Sequence, residues 1–141
     1  MKLKLRNLLL GIYDLGLSIA AIITGNQMIH MDYGIFREFP LEWSSLLPFH
    51  SWLLPGIFIM IVFGLGNMTA SLLCFMEGRN KAWKLSMVMG MILTVVLLIF
   101  TILVKEWYLA SNEILILGIL QLFISRFAIA GKKHRDFIRN H

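Results

Sequence analysis

Residues 53–76 read LLPGIFIMIVFGLGNMTASLLCFM, an apolar run without a charged side chain. A helix needs about 20 mostly apolar residues to cross the hydrocarbon layer of a bilayer. This run is long enough, and its unbroken length and its Leu, Ile and Met content argue for helix over strand. Residues 8–29, 85–104 and 114–130 repeat the pattern. The last is the shortest, and Lys132 and Lys133 beyond it can snorkel to the interface. Met1-Lys2-Leu3-Lys4-Leu5-Arg6 resembles the basic start of a signal peptide. The apolar stretch behind it is too long and lacks a small-residue cleavage site, so it reads as an uncleaved first helix.

The rest of the chain agrees. Of 141 residues, 58% are hydrophobic and 15% charged, and the mean hydropathy is +0.77. Soluble domains are about 45–50% apolar and about 25% charged, and a small one exposes too much surface to hide this excess. The composition excludes a water-soluble globule, a disordered chain and a coiled coil. The expected fold is all-α: one transmembrane four-helix bundle over residues 1–141.

Charge gives an orientation. Ten of the thirteen basic residues lie on one side of a four-span chain. Lys2, Lys4 and Arg6 precede the first span, and Arg79, Lys81 and Lys84 separate the second from the third. Lys132, Lys133, Arg135 and Arg139 follow the fourth, in a basic tail over residues 131–141. The opposite side carries Arg37 and Lys105 against Asp32, Glu38, Glu42, Glu106 and Glu113, a net charge of 2 − 5 = −3. Basic residues stay in the cytoplasm, so both termini are expected there. The cations then meet anionic lipid, and no nucleic-acid partner is expected.

Residues 30–52 form a long outer loop with six aromatic residues. Trp and Tyr favour the headgroup layer. Pro40 can open a helical turn and Pro48 can end it, which makes Leu41–Leu47 a candidate interfacial segment. His30, Asp32, Glu38, Glu42 and His50 follow no recognised metal spacing, so no metal is expected. The spans contain no histidine for a bis-histidine haem. Cys74 is alone and rules out paired-thiol chemistry, leaving a small packing residue. No cofactor is expected.

Polar residues inside spans point to function. Gly11, Asp14, Ser18, Ala21 and Gly25 recur every three or four residues and share one helix face. Met60, Gly64, Asn67, Ser71 and Cys74 do so on the second span, Ser86, Gly90 and Thr94 on the third, and Gly118, Gln121, Ser125 and Ala128 on the fourth. These faces are expected to point inward, where small residues let backbones approach and polar ones bond across the gap. Counted from the span ends at about 1.5 Å per residue, Asp14 lies one or two turns nearer the cytoplasm than Asn67 and Gln121. The candidate site is a polar cavity open to the cytoplasm, lined by Asp14, Ser18, Asn67, Ser71, Gln121 and Ser125. Arg126 is of similar depth and is a candidate ion-pair partner for Asp14.

The stretch Pro48-Phe49-His50-Ser51-Trp52-Leu53-Leu54-Pro55-Gly56-Ile57, with Phe63-Gly64-Leu65-Gly66-Asn67 after it, resembles the start of the second span in a broad set of small bacterial four-span membrane proteins. That resemblance implies a bacterial inner-membrane protein and no particular activity. The span count and the acidic Asp14 in span one are also similar to the small multidrug resistance transporters. Those have short loops, weaker charge bias and a glutamate in place of the aspartate.

The leading expectation is a non-enzymatic accessory, regulatory or immunity-type subunit acting through helix–helix contacts, as a homo-oligomer or with a membrane partner. The alternative is a small proton-coupled or small-solute transporter using Asp14. A third class is a lipid-processing enzyme using His50 and Glu42 or Glu38.

Overall fold

A computed structural model describes residues 2–30, 52–76, 82–105 and 109–139. All the elements are helical. Helix α1 is Lys2–His30, α2 is Leu53–Phe75, α3 is Ala82–Val104 and α4 is Leu109–Arg139. Each is long and apolar enough to cross a membrane. The candidate interfacial segment Leu41–Leu47 and the acidic residues Asp32, Glu38 and Glu42 lie outside the described residues, as does His50.

The ends of the helices extend the sequence reading in two places. Helix α1 begins at Lys2, ahead of the apolar run at residue 8. Helix α4 continues through residues 131–139, where a basic tail was expected. Lys and Arg are good helix formers, and nothing in either stretch breaks the backbone pattern. At the other end of α3, Lys105 takes a left-handed conformation (φ 57°), and its N–H donates to Thr101 O at 3.0 Å. That position usually belongs to glycine because a side chain is strained there.

The helices alternate in direction and form a ring in chain order, with α4 returning against α1. Two features fix the α1/α2 contact. Near one end a Cβ on Gly25 would lie 2.6 Å from Gly56 O and 2.3 Å from the Met60 side chain. Near the other, Ser71 Oγ donates to Gly11 O at 2.7 Å. Helix α4 is tied to α1 by Tyr13, whose hydroxyl donates to Leu117 O at 2.7 Å. Arg6 Nη1 also donates to Phe127 O at 3.2 Å, with its guanidinium 4.1 Å from the Phe127 ring centre.

The middle of α2, Ile59–Leu65, is π-helical. Its wider turn separates two α-helical halves. The Gly66–Phe75 half brings its backbone closest to α3, while Phe63 of the other half joins Met89 of α3 in a side-chain cluster. The Leu53–Leu65 half stays against α1 through the Gly25–Gly56 contact. The bundle is therefore closed at the end holding the chain termini and splayed at the opposite end.

The outward faces are apolar. Ile12, Ile19, Ile61, Leu72, Val95, Ile99, Ile116 and Phe123 are among the exposed large side chains. Every glycine in the inward seams is buried, as are Asp14, Ser18, Ala21, Asn67, Ser71, Cys74, Ser86, Gln121, Ser125 and Ala128. Met60 and Thr94 are half-buried. The period of the seams thus gives the packing faces of all four helices.

Candidate functional site

Asp14 is 0% exposed and sits at the centre of a hydrogen-bonded group drawn from all four helices. Its Oδ1 accepts from Ser86 Oγ at 2.9 Å and from Gln121 Nε2 at 2.9 Å. Gln121 Nε2 also donates to Asn67 Oδ1 at 2.8 Å. Ser125 Oγ lies 3.1 Å from Ser86 Oγ and donates to Gln121 O, one turn back in its own helix, at 2.7 Å. Ser18 Oγ donates to Gly64 O at 2.7 Å, inside the π-helical segment. Two bonds run between helices on opposite sides of the ring: Asp14 to Ser86 joins α1 to α3, and Gln121 to Asn67 joins α4 to α2. A long amide on α4 and a short carboxyl on α1 thereby reach the axis together.

All six candidate residues, Asp14, Ser18, Asn67, Ser71, Gln121 and Ser125, are buried. The structure joins Asp14, Gln121 and Asn67 directly, while Ser18 and Ser71 bond to backbone of the neighbouring helix. Asp14 does not lie one or two turns away from the other two, because α1 starts at Lys2 and not at residue 8. Measured from Lys4, where the apolar span begins, Asp14 is about 15 Å along its helix. Arg126 is exposed, and the bonds to the Asp14 carboxyl come from Ser86 and Gln121. Arg126 stands next to Ser125 in sequence, and that step turns it away from the axis.

Ser86 was legible as a member of the α3 seam, and its direct bond to Asp14 was not. The spacing gives a face, and the partner depends on how the helices are shifted along one another. Two acceptors in the group have no donor, Asp14 Oδ2 and Gln121 Oε1. Buried polar atoms rarely stay unpaired, so these two mark the least satisfied part of the interior.

The space around the group differs from the expected cytoplasmic cavity. Towards the end with the termini, Leu10, Cys74, Ala82 and Ala128 pack together, with Leu73, Trp83 and Ile124 against them. That stretch is filled. The open space lies on the opposite side, as an apolar cleft of about 220 Å³ between the splayed halves of the helices. Leu17, Phe58, Phe63, Val96 and Phe100 are among its walls. Of the six candidate residues only Asn67 lines it. The walls had no signature in the sequence, because apolar side chains facing a cleft look the same as those facing lipid.

Among the described residues, no group of three or more His, Cys, Asp or Glu side chains is placed to hold a metal ion. Cys74 is buried and free. Compared with known proteins, the chain matches no family model, no curated protein and no solved structure.

Proposed function

We propose that this chain is a multi-pass protein of a bacterial inner membrane, with both ends in the cytoplasm, that acts as a non-enzymatic accessory or regulatory subunit. It works by helix–helix contact inside the bilayer, with a membrane partner or a second copy of itself, and its basic ends rest on anionic lipid. The charge bias along the sequence supports the orientation, and the resemblance at residues 48–67 supports the setting.

One observation carries the reading: the polar groups around Asp14 are turned inward and bonded to one another, and the outward faces are apolar apart from Thr69 and Arg126. A partner in the bilayer therefore meets mostly apolar side-chain shape. Association between spans relies on close packing at small residues. Gly16 fits that use, for a Cβ added there would touch nothing within 4 Å, unlike Gly11, Gly25, Gly56, Gly64, Gly66, Gly90 and Gly118. Ala20, one turn on, is exposed as well. Transport through Asp14 would need a water path from the end with the termini, where Leu10, Cys74, Ala82 and Ala128 are packed.

The test is cross-linking in native membranes. Gly16→Cys in a Cys74→Ala background is treated with a short bis-maleimide. The expected product is one adduct of defined mass, lost when Ala20→Leu is added. Only monomer, or a smear of weak adducts that Ala20→Leu leaves unchanged, overturns the reading. Labelling of Lys2→Cys by an impermeant maleimide in intact cells would overturn the orientation.

A further inference from the structure

The apolar cleft has a polar floor, and the two together define a ligand. Its walls come from Leu17–Met28 of α1, Trp52 and the following Pro55–Phe63 of α2, Leu93–Phe100 of α3 and Ser111–Leu117 of α4. Trp52 stands 6.2 Å from Phe100, centre to centre, at the end far from the termini. The cleft arises because the Gly25–Gly56 contact holds half of α2 on α1 and away from α3. Its rim includes exposed Ala20, Phe58 and Leu117. At about 220 Å³ it is larger than the ~150 Å³ apolar cavity known to stay dry and hold benzene.

Asn67 is 1% exposed and forms part of the lining at the deep end. Its Oδ1 is used by Gln121, and no described residue accepts from its Nδ2. A donor in the wall of an apolar space is a recognition element for an acceptor brought in from outside. Among the described residues no charged side chain lines the cleft, so an ion entering it would lose its hydration uncompensated by them.

We propose that the cleft binds a neutral, lipid-soluble molecule of about one or two rings, with a carbonyl or similar acceptor leading to Asn67 Nδ2. The ligand lies with its apolar body among Phe58, Phe63, Val96 and Phe100. The polar end goes in first, and this distinguishes it from a phospholipid tail. A phospholipid keeps its ester groups at the interface and would set a methylene against Asn67. The site shares Ala20 of its rim with the Gly16 face, but its floor and inner walls do not depend on a partner there.

Benzophenone, a neutral two-ring ketone that inserts into nearby C–H bonds under near-ultraviolet light, tests the site on the full chain in phosphatidylcholine nanodiscs. Adducts are expected on peptides covering residues 58–67 and 93–100. Competition separates the two elements of the site. In the native chain 2-acetylnaphthalene should compete at about tenfold lower concentration than 2-ethylnaphthalene, the ~1.4 kcal/mol of one hydrogen bond. In Asn67→Leu the two should compete equally. Val96→Phe fills the cleft without touching the polar group and should abolish the adducts in a chain that still purifies as a folded species. Where Asn67→Leu fails to fold, Val96→Phe and the native competition ratio decide. Adducts spread over outward Ile99, Ile102 and Phe123 overturn the site. Equal competition in the native chain, or an acetyl preference that survives Asn67→Leu, overturns the role of Asn67. Adducts in the cleft that excess phospholipid removes, and 2-acetylnaphthalene does not, assign it to a lipid tail and overturn the proposal.

Discussion

The two ends of the bundle are built from similar residues and packed by different rules. At the end with the termini, small residues bring all four helices together, and Ala82 and Ala128 are 3% and 1% exposed beside Leu10. At the other end, one glycine pair holds the α1 and α2 backbones together, α3 meets them through side chains such as Phe63 and Met89, and aromatic side chains incompletely fill the gap. The polar group lies between the two. It closes the lower half with hydrogen bonds across the axis, and only Asn67 faces the upper half. In a bilayer no hydrophobic force drives helices together. Where small residues and polar bonds stop, the helices have little reason to converge, and the cleft begins there.

The contrast can be broken most directly at the glycine pair. Gly25→Val sets a side chain against Gly56 O, where a Cβ alone would already be 2.6 Å away. Backbone cannot yield as a flexible side chain does, so the cost is expected to reach about 3 kcal/mol or more. Denaturation by SDS from mixed micelles measures it. Unchanged stability would mean that α1 and α2 are not held at this point.

The polar group is expected to matter somewhat less. Gln121→Leu removes the donor to both Asp14 Oδ1 and Asn67 Oδ1. Removing one partner of a buried pair destabilises by about 1–3 kcal/mol, above the ~0.6 kcal/mol average for a hydrogen bond between membrane helices. A double-mutant cycle with Asn67→Leu isolates the link between α2 and α4. A coupling of zero would show that the two side chains do not meet.

The smallest effect is a comparison of one substitution at two places. Ala128→Leu enters the filled end and should destabilise by about 1–3 kcal/mol. Ala21→Leu lies on the wall of the cleft and should change stability by less than about 1 kcal/mol in either direction. Equal losses at both positions would mean that the cleft is not open space.

How much of this was legible in the chain depends on the residue. Asp14, Asn67, Gln121 and the serines could be assigned to the axis from spacing alone, because hydrocarbon penalises a polar side chain on any other face. The bond between Asp14 and Ser86 could not, since it depends on the shift of α3 against α1. The level of Asp14 was displaced in the sequence reading because Lys2–Asn7 are helical despite their charge. The π-helical turn at Ile59–Leu65 has no reliable mark beyond Gly64 and Gly66.

The sequence by itself determined four apolar helices and their inward faces, since each follows from the cost of a polar side chain in hydrocarbon, one helix at a time. Tertiary structure alone decided which polar atoms meet, which end of the bundle closes and where the cleft lies. Those outcomes depend on the distances and axial shifts between helices. Such distances are set by a few close contacts, Gly25 on Gly56 above all, that hydrophobic periodicity does not encode.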